Sequence, residues 1–483
     1  MSQSDSALNA SMLMPNALTS NPTDASATPF VENGYPSTGF LVVCSALVMI
    51  MTPAVGLLYS GLSRSKNALT ILMISCLCYA VVTVQWLLFG FSLTFSETGS
   101  TFIGNFALAG MDSVMDQALP LTAPTVPSIA YALYQLQFAT VTLAIVFGGV
   151  TERVRLLPSI LFMFVWTTLI YDPVAYWTWG ARGWIKNLSC LPSAADLSQT
   201  PCQIGGLDFA GGGPVHMSSG AAALAFCIFL GRRKGAEEFK PHNMTNVFIG
   251  TALIWMGWFG FNAGSSTDAT ARAALAGMAT TIAASSGALA WTLLDYARSG
   301  KFSGLAFCSG ALAGLVGITP AAGFVPGWAA LIIGIVTAVL CNFSIRLKEI
   351  LGYDDSLDAF GLHGVGGLVG SILTGLFAAK KVVALDNASI PGGAFMDGQW
   401  KLLGYNIAGS VSILGYSFVG TFIILFIINM IPGLKFRSSD NEELVGGDLA
   451  EMGEVAYELV PSNNEAPSLL DMKKDSDFTV DAF

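Results

Sequence analysis

Eleven runs of apolar residues, each close to the length of a membrane span, constrain this chain more than any other feature. They lie at roughly 38–59, 67–95, 128–150, 156–179, 213–231, 244–264, 271–297, 302–320, 325–345, 361–379 and 402–432, against a need of about 20 residues for a helix to cross the hydrocarbon core. Backbone polar groups in lipid must be satisfied within the segment, so such runs are helices rather than open strands. The expected fold is an all-α polytopic membrane protein with 11 transmembrane helices. An odd number of crossings puts the two ends of the chain on opposite sides.

Lys and Arg in short loops concentrate on the cytoplasmic side. One alternating set of loops carries Arg64, Lys66, Arg153, Arg155, Arg232, Arg233, Lys234, Lys240, Arg298, Lys301, Arg346, Lys348, Lys435 and Arg437. The other carries only Arg182, Lys186, Arg272, Lys380, Lys381 and Lys401. This bias predicts the N-terminus outside and the C-terminus cytosolic. Residues 1–37, rich in Ser, Thr, Asn and Pro and without Lys or Arg, read as a disordered extracellular leader and not a signal peptide. Residues 38–433 then form the transmembrane domain, and 434–483 an acidic cytosolic tail. From Asp440 onward twelve acidic residues face only Lys473 and Lys474, which accounts for the whole formal charge of −10. No broad basic field exists, which argues against a nucleic-acid partner. Sequons at Asn9, Asn187 and Asn387 fall outside as candidate glycosylation sites, whereas the one at Asn243 falls in the cytosol and stays bare.

Two of the three His in the chain open apolar runs. Asp208-Phe-Ala-Gly-Gly-Gly-Pro-Val-His216 leads into the fifth run, and Asp354-Asp-Ser-Leu-Asp-Ala-Phe-Gly-Leu-His363-Gly-Val-Gly-Gly367 into the tenth. Five crossings are an odd shift, so the second half enters the membrane upside down, the mark of an inverted repeat. The two five-helix repeats cover about 38–231 and 244–379, with 402–432 as an added last helix. Small residues follow each His, among them Gly220 and Gly367, and permit close helix approach.

An ionisable side chain is costly in hydrocarbon, so a symmetric pair of imidazoles marks a pathway. A neutral imidazole has one donor and one acceptor, and two in contact can accept, hold and pass on a proton. That chemistry suits a substrate that is charged in water and neutral after losing one proton. The plainer role, each His capping a helix or bonding a nearby carbonyl, explains one His better than a symmetric pair. Asp208 precedes His216 by eight residues, and Asp355 and Asp358 precede His363 by eight and five. The simple role for an Asp so placed is to accept backbone N–H bonds at a helix start; direct ligation of a cation is the sharper alternative. Trp258 and Phe261 share a helical face that ends at Ser265, and Phe138 and Trp179 lie near the same outer level. Aromatic faces attract cations by about 0.5–2 kcal/mol, although Trp and Tyr belt the interfaces of any membrane protein. Of the eight Cys, six lie in apolar runs as small hydrophobes, and Cys190 and Cys202 share a polar outer loop as a candidate disulfide.

Four segments in order, Asp208 to His216, Gly257-Trp-Phe-Gly-Phe-Asn-Ala-Gly-Ser265, Gly314-Leu-Val-Gly-Ile-Thr-Pro-Ala-Ala-Gly323 and Asp354 to Gly367, resemble the ammonium transporter (Amt/Mep/Rh) family. The resemblance covers about residues 38–440, and the polar leader and acidic tail are most similar to fungal Mep-type high-affinity ammonium permeases. It implies that His216 and His363 line a pore and that Phe138 and Phe261 gate its outer entrance. It also implies that Trp179 and Ser265 recruit ammonium, with Asp208 supporting that site indirectly. A homotrimer with one pore per subunit, a multi-pass plasma-membrane location and methylammonium as an accepted analogue follow from the same resemblance, and no cofactor does. The segment from Gly453 to Glu458 resembles a cytosolic regulatory stretch that touches the inner loops, and Ser468 and Ser476 are candidate phosphorylation sites for a regulatory kinase.

The expected mechanism is recruitment of ammonium outside, loss of a proton at the rings and passage of ammonia beside the two His, with the proton travelling separately if net charge moves. The alternative is an ammonium receptor, or transceptor, whose main role is signalling. An enzyme is not expected: no His-x-x-x-His and no Gly-x-Ser-x-Gly with a partnered His occurs, and two His are too few ligands for a catalytic zinc. A water or potassium channel would need rings of carbonyls or charges that the sequence does not offer.

Overall fold

The computed structural model describes residues 35–189, 205–235 and 240–457. The expected positions Asn9, Cys190, Cys202, Ser468 and Ser476 lie outside these residues. Ten helices among the described residues are long and apolar enough to cross a membrane. They are α1 Tyr35–Leu62, α2 Ser65–Phe95, α3 Ser128–Gly149, α4 Leu156–Trp179, α5 Gly212–Leu230, α6 Met244–Gly264, α7 Ala271–Ser299, α9 Gly327–Leu351, α10 Phe360–Phe377 and α11 Trp400–Asn429. The eighth apolar run gives the shorter helix α8, Gly304–Ile318. At 15 residues it spans about 22 Å, short of the roughly 30 Å hydrocarbon core. It stops because Pro320 cannot continue the hydrogen-bond ladder. Where eleven spans are expected, the described residues thus show ten helices of spanning length and one shorter apolar helix.

Side-chain caps fix several starts. Asn243 accepts from the Asn246 amide at 3.0 Å to open α6, and Ser303 accepts from the Ala306 amide at 3.2 Å to open α8.

The inverted repeat is visible in how helix ends are satisfied. The amides of Phe209 and Ala210, just before α5, donate to the carbonyls of Pro320 and Thr319 at the broken end of α8 (3.1 and 3.2 Å). Five helices away, the amides of Ser356 and Leu357, just before α10, donate to the carbonyls of Gly149 and Gly148 at the end of α3 (3.3 and 3.1 Å). Helices α3 and α8, and α5 and α10, are thus equivalent pairs. Each half lends the other a set of freed carbonyls, as backbone buried in a membrane protein requires. The two halves also cross closely. A Cβ on Gly220, four residues after His216, would overlap the backbone of Gly364, and one on Gly367, four after His363, would overlap the carbonyl of Gly212.

The basic loops gather at one end of the bundle, where the acidic tail packs against them. Arg153 is buried and donates to the Asp354 carbonyl, the Gly149 carbonyl and Ser356 Oγ (2.6, 3.2 and 2.7 Å). Burial alone would raise the Asp354 carboxyl, but Arg153 and Arg233 outweigh it and hold it below its ordinary value. From the tail, Asp448 accepts from the amides of Leu69 and Thr70 (3.0 and 2.7 Å), completing the start of α2, and Glu451 accepts from the amide of Leu156 (2.9 Å) at the start of α4. Glu443 pairs with Arg437 at 3.0 Å and accepts from the Lys234 amide. The charge asymmetry of the sequence is therefore spent locally: acidic tail on basic loops.

Candidate functional site

Both imidazoles stand on the first turn of a helix, and in both cases that turn is π-helical: Gly212–Met217 carries His216 and Phe360–Gly364 carries His363. Widened turns of this kind recur at functional sites because they re-aim side chains. An Asp eight residues upstream anchors each. Asp208 accepts from the amides of Gly211, Gly212 and Gly213 at 2.7, 2.8 and 2.6 Å, and Asp355 from those of Ala359 and Phe360 at 3.0 and 2.8 Å. The turn after Asp208 needs Gly211 at φ +114°, a conformation that side chains rarely adopt. Burial raises the Asp208 carboxyl above its ordinary value, with the three amides opposing it. Burial, with Asp358 adding and Lys348 and the amides opposing, pushes Asp355 up to about 6. Asp208 therefore acts as the cap that aims the His216 turn, and both of its oxygens are occupied by backbone.

The two rings meet edge to edge, with His216 Nδ1 and His363 Nδ1 3.2 Å apart. The hydrogen bonds around them fix the tautomers. Thr319 Oγ1 donates to the Leu315 carbonyl at 2.8 Å and accepts from Trp258 Nε1 at 2.9 Å. Its remaining lone pair can only accept, so His216 Nε2, 3.3 Å away, carries a hydrogen. Neutral His216 then has a bare Nδ1, and His363 must donate to it from its own Nδ1. The free acceptor of the pair is His363 Nε2. Trp258 also stacks on His216, with ring centres 5.1 Å apart and planes at 19°.

A stacked pair of rings, Phe138 and Phe261, lies beside the imidazoles, with centres 4.0 Å apart and planes at 20°. Phe261 is also 6.3 Å from His216. Cavities adjoin this pair on both sides. One of about 180 Å³ is lined by Phe261, Trp258, His216 and His363 and extends to Asp295, Ser303 and Asp358 near the basic loops. The other, about 140 Å³, lies at the opposite end and is lined by Trp179, Ser265, Phe209, Tyr131, Gln135 and Lys186 among others. Trp179 meets Phe138 at a right angle with ring centres 5.9 Å apart, and its Nε1 donates to the Asp208 carbonyl at 3.1 Å. Ser265 Oγ donates to the Phe261 carbonyl at 2.9 Å and keeps lone pairs for another donor.

The predicted residues His216, His363, Phe138, Phe261, Trp179 and Ser265 thus fall along one line of rings and cavities, and Asp208 sits beneath them as a cap. Two residues of the site carry no individual sequence signal. Thr319 is noticeable only as the polar residue before the Pro that ends α8. Tyr134, one turn before Phe138, holds the Phe261 and Gly260 carbonyls through its hydroxyl (2.5 and 3.1 Å). One expectation is not supported: Asn187 is only 8% exposed, and its Nδ2, the atom a glycan would occupy, donates to the carbonyls of Ala181 and Gly183. The sequence motif does not report burial. Asn387 is exposed, at a turn with φ +60°.

The family model described as Ammonium Transporter Family matches residues 39–457. The chain is 44% identical over 431 residues to "Ammonium transporter MEP2" of Saccharomyces cerevisiae, covering 87% of this chain and 83% of that protein. It is 42% identical over 466 residues to "Ammonium transporter 1" of Schizosaccharomyces pombe, covering 93% and 90%. The crystal structure of Candida albicans Mep2 superposes with a TM-score of 0.77 at 42% identity, over 84% of this chain and 87% of that one. With the match extending over nearly every helix and all of the paired His site, this chain belongs to the Ammonium Transporter Family.

Proposed function

We propose that this chain takes up ammonium across the plasma membrane by separating the substrate from its charge at the stacked rings. The observation that carries this reading is the order of groups along one line: an aromatic and hydroxyl cavity, a closed ring pair, and two imidazoles whose free acceptor, His363 Nε2, borders a second cavity. The end with the basic loops is taken as cytosolic, so the Trp179 and Ser265 cavity faces outside.

Ammonium has four N–H donors. Outside, the face of Trp179 and a lone pair of Ser265 Oγ offer it what an alkali cation cannot use equally well, a directional acceptor beside a π face. Beyond Phe138 and Phe261 the path is apolar, and a cation there loses hydration that the walls do not replace. Ammonia loses far less. Once ammonium has passed a proton to water at the outer cavity, the ammonia that remains can donate to His363 Nε2, the one imidazole nitrogen left free by the Thr319 and His216 bonds. The pair can also carry a proton: one arriving at His363 Nε2 lets the Nδ1 hydrogen shift across the 3.2 Å bridge to His216. Potassium has no proton to shed.

The family likeness supports a homotrimer with a pore in each subunit, methylammonium as an analogue, and a kinase acting on the tail, in which Ser468 and Ser476 are the candidate sites. The reading is tested in a yeast strain without its own ammonium permeases. Expression of this chain restores growth on low ammonium and uptake of labelled methylammonium; binding or signalling without uptake would contradict it.

A further inference from the structure

The outer cavity contains a charge of the wrong sign. Among its described lining residues Lys186 is the one ionised side chain, in the company of Trp179, Ser265, Phe209, Tyr131 and Gln135. Its Nζ donates to the Trp179 carbonyl at 3.0 Å, on the residue whose ring forms the aromatic wall. The backbone at Lys186 itself is anchored: its amide donates to the Trp177 carbonyl at 3.1 Å, and the neighbouring Ile185 carbonyl accepts from the Gly206 amide at 2.9 Å. A tethered primary ammonium group therefore belongs to the wall of the cavity in which a free one would be recruited.

We infer that Lys186 sets the strength of cation capture in the outer cavity, weakening it when charged and releasing it when neutral. This rests on the reading that ammonium is recruited there. Two cations in one partly desolvated cavity repel each other more than they would in bulk water. Only a cation that also gains hydrogen bonds and a π face offsets that repulsion, so the tethered charge keeps weak competitors out and sets the threshold for ammonium.

The surroundings of Lys186 make its charge adjustable. Burial lowers its pKa to about 8, with Glu97 partly opposing. Other ionisable groups nearby have their own partners. Glu97 Oε1 accepts from the Leu121 amide at 2.9 Å, and Arg182 donates from Nε to the Glu97 carbonyl at 2.8 Å. The Tyr131 hydroxyl of α3 accepts from Gln135 Nε2 at 3.1 Å, and Asp208 before α5 is committed to three amides. As external pH rises through 8 the lysine loses its charge while keeping N–H groups for the Trp179 carbonyl, so its positioning role survives and the repulsion does not.

The test is methylammonium uptake into proteoliposomes at external pH 7 and 9, with KM expressed per concentration of the cation and maximal rate read separately. Wild type is expected to show KM falling about fivefold between the two pH values. Lys186→Arg should hold the pH 7 value at both, and Lys186→Met should show the low KM at both. A Lys186→Arg protein whose KM follows pH as wild type does, or a Lys186→Met protein that keeps the high KM at pH 7, overturns the proposal. Trp179→Leu is measured alongside. If it raises KM while the lysine variants behave as wild type, only the role of Lys186 falls; if it leaves KM unchanged as well, the outer recruitment site falls with it.

Discussion

Asp208→Ala is expected to abolish uptake. Its carboxylate satisfies three amides, those of Gly211, Gly212 and Gly213, in a partly buried turn with no other side-chain acceptor bonded to them. An unsatisfied buried amide costs about 1–3 kcal/mol, so losing all three costs at least about 3 kcal/mol at the one turn that aims His216. The same turn carries the carbonyl to which Trp179 Nε1 donates, so the cavity wall and the imidazole are lost together. Asp208→Asn separates the capping role from the charge. It retains Oδ1 for Gly211 and Gly212 and presents an NH2 group to Gly213, so it should keep measurable uptake, below wild type but clearly above Ala. Labelled methylammonium uptake, normalised to protein at the cell surface, gives the order wild type, Asn, Ala; equal uptake by Ala and wild type would show that the cap is dispensable.

The imidazoles are expected to be unequal. His216 bonds at both nitrogens and stacks on Trp258, whereas His363 bonds only through Nδ1. Removing His216 leaves a lone pair of Thr319 and the Nδ1–H of His363 unpartnered and removes the ring packed on Trp258. Removing His363 leaves only the Nδ1 acceptor of His216 unpartnered, and takes away the acceptor that meets ammonia. With a buried unmade bond at about 1–3 kcal/mol, His363→Ala should lower uptake roughly tenfold and His216→Ala roughly a hundredfold. Both are read as initial rates at saturating methylammonium. Equal losses, or the reverse order, would contradict the tautomers assigned from Thr319.

The fold was largely legible because lipid leaves the chain few options. Apolar runs and helix ends agree to within a few residues, and five-helix spacing of the two His led to the repeat that the paired helix ends display. The exception, α8, shows why run length overestimates: Thr319 and Pro320 prolong the apolar stretch, but proline ends the helix and frees the carbonyls that hold the turn before α5. At the site, residues with unusual chemistry for their setting could be read from sequence. Those that act by geometry could not. Thr319 and Tyr134 look like ordinary polar or aromatic residues inside apolar runs, and only their meeting with Trp258 and Phe261 across helices turns them into the groups that fix the imidazoles and the ring gate. Asn187 shows the converse: a complete motif whose side chain folding has already used. The buried Asp172 of α4, bonded to Gln85 Nε2 at 2.7 Å and Thr94 Oγ1 at 3.2 Å, likewise has a structural partner set apart from the cavities.

Ammonium and potassium fluxes compared in the same proteoliposomes, under equal gradients, with internal pH followed, test most directly whether the substrate leaves its charge at the ring gate. The account predicts ammonium flux well above that of empty vesicles, with internal pH rising to the extent that the shed proton stays outside, and potassium flux at the level of empty vesicles. Potassium flux comparable to that of ammonium would contradict it, because a conduit that passes an intact alkali cation has no need of a proton to be shed.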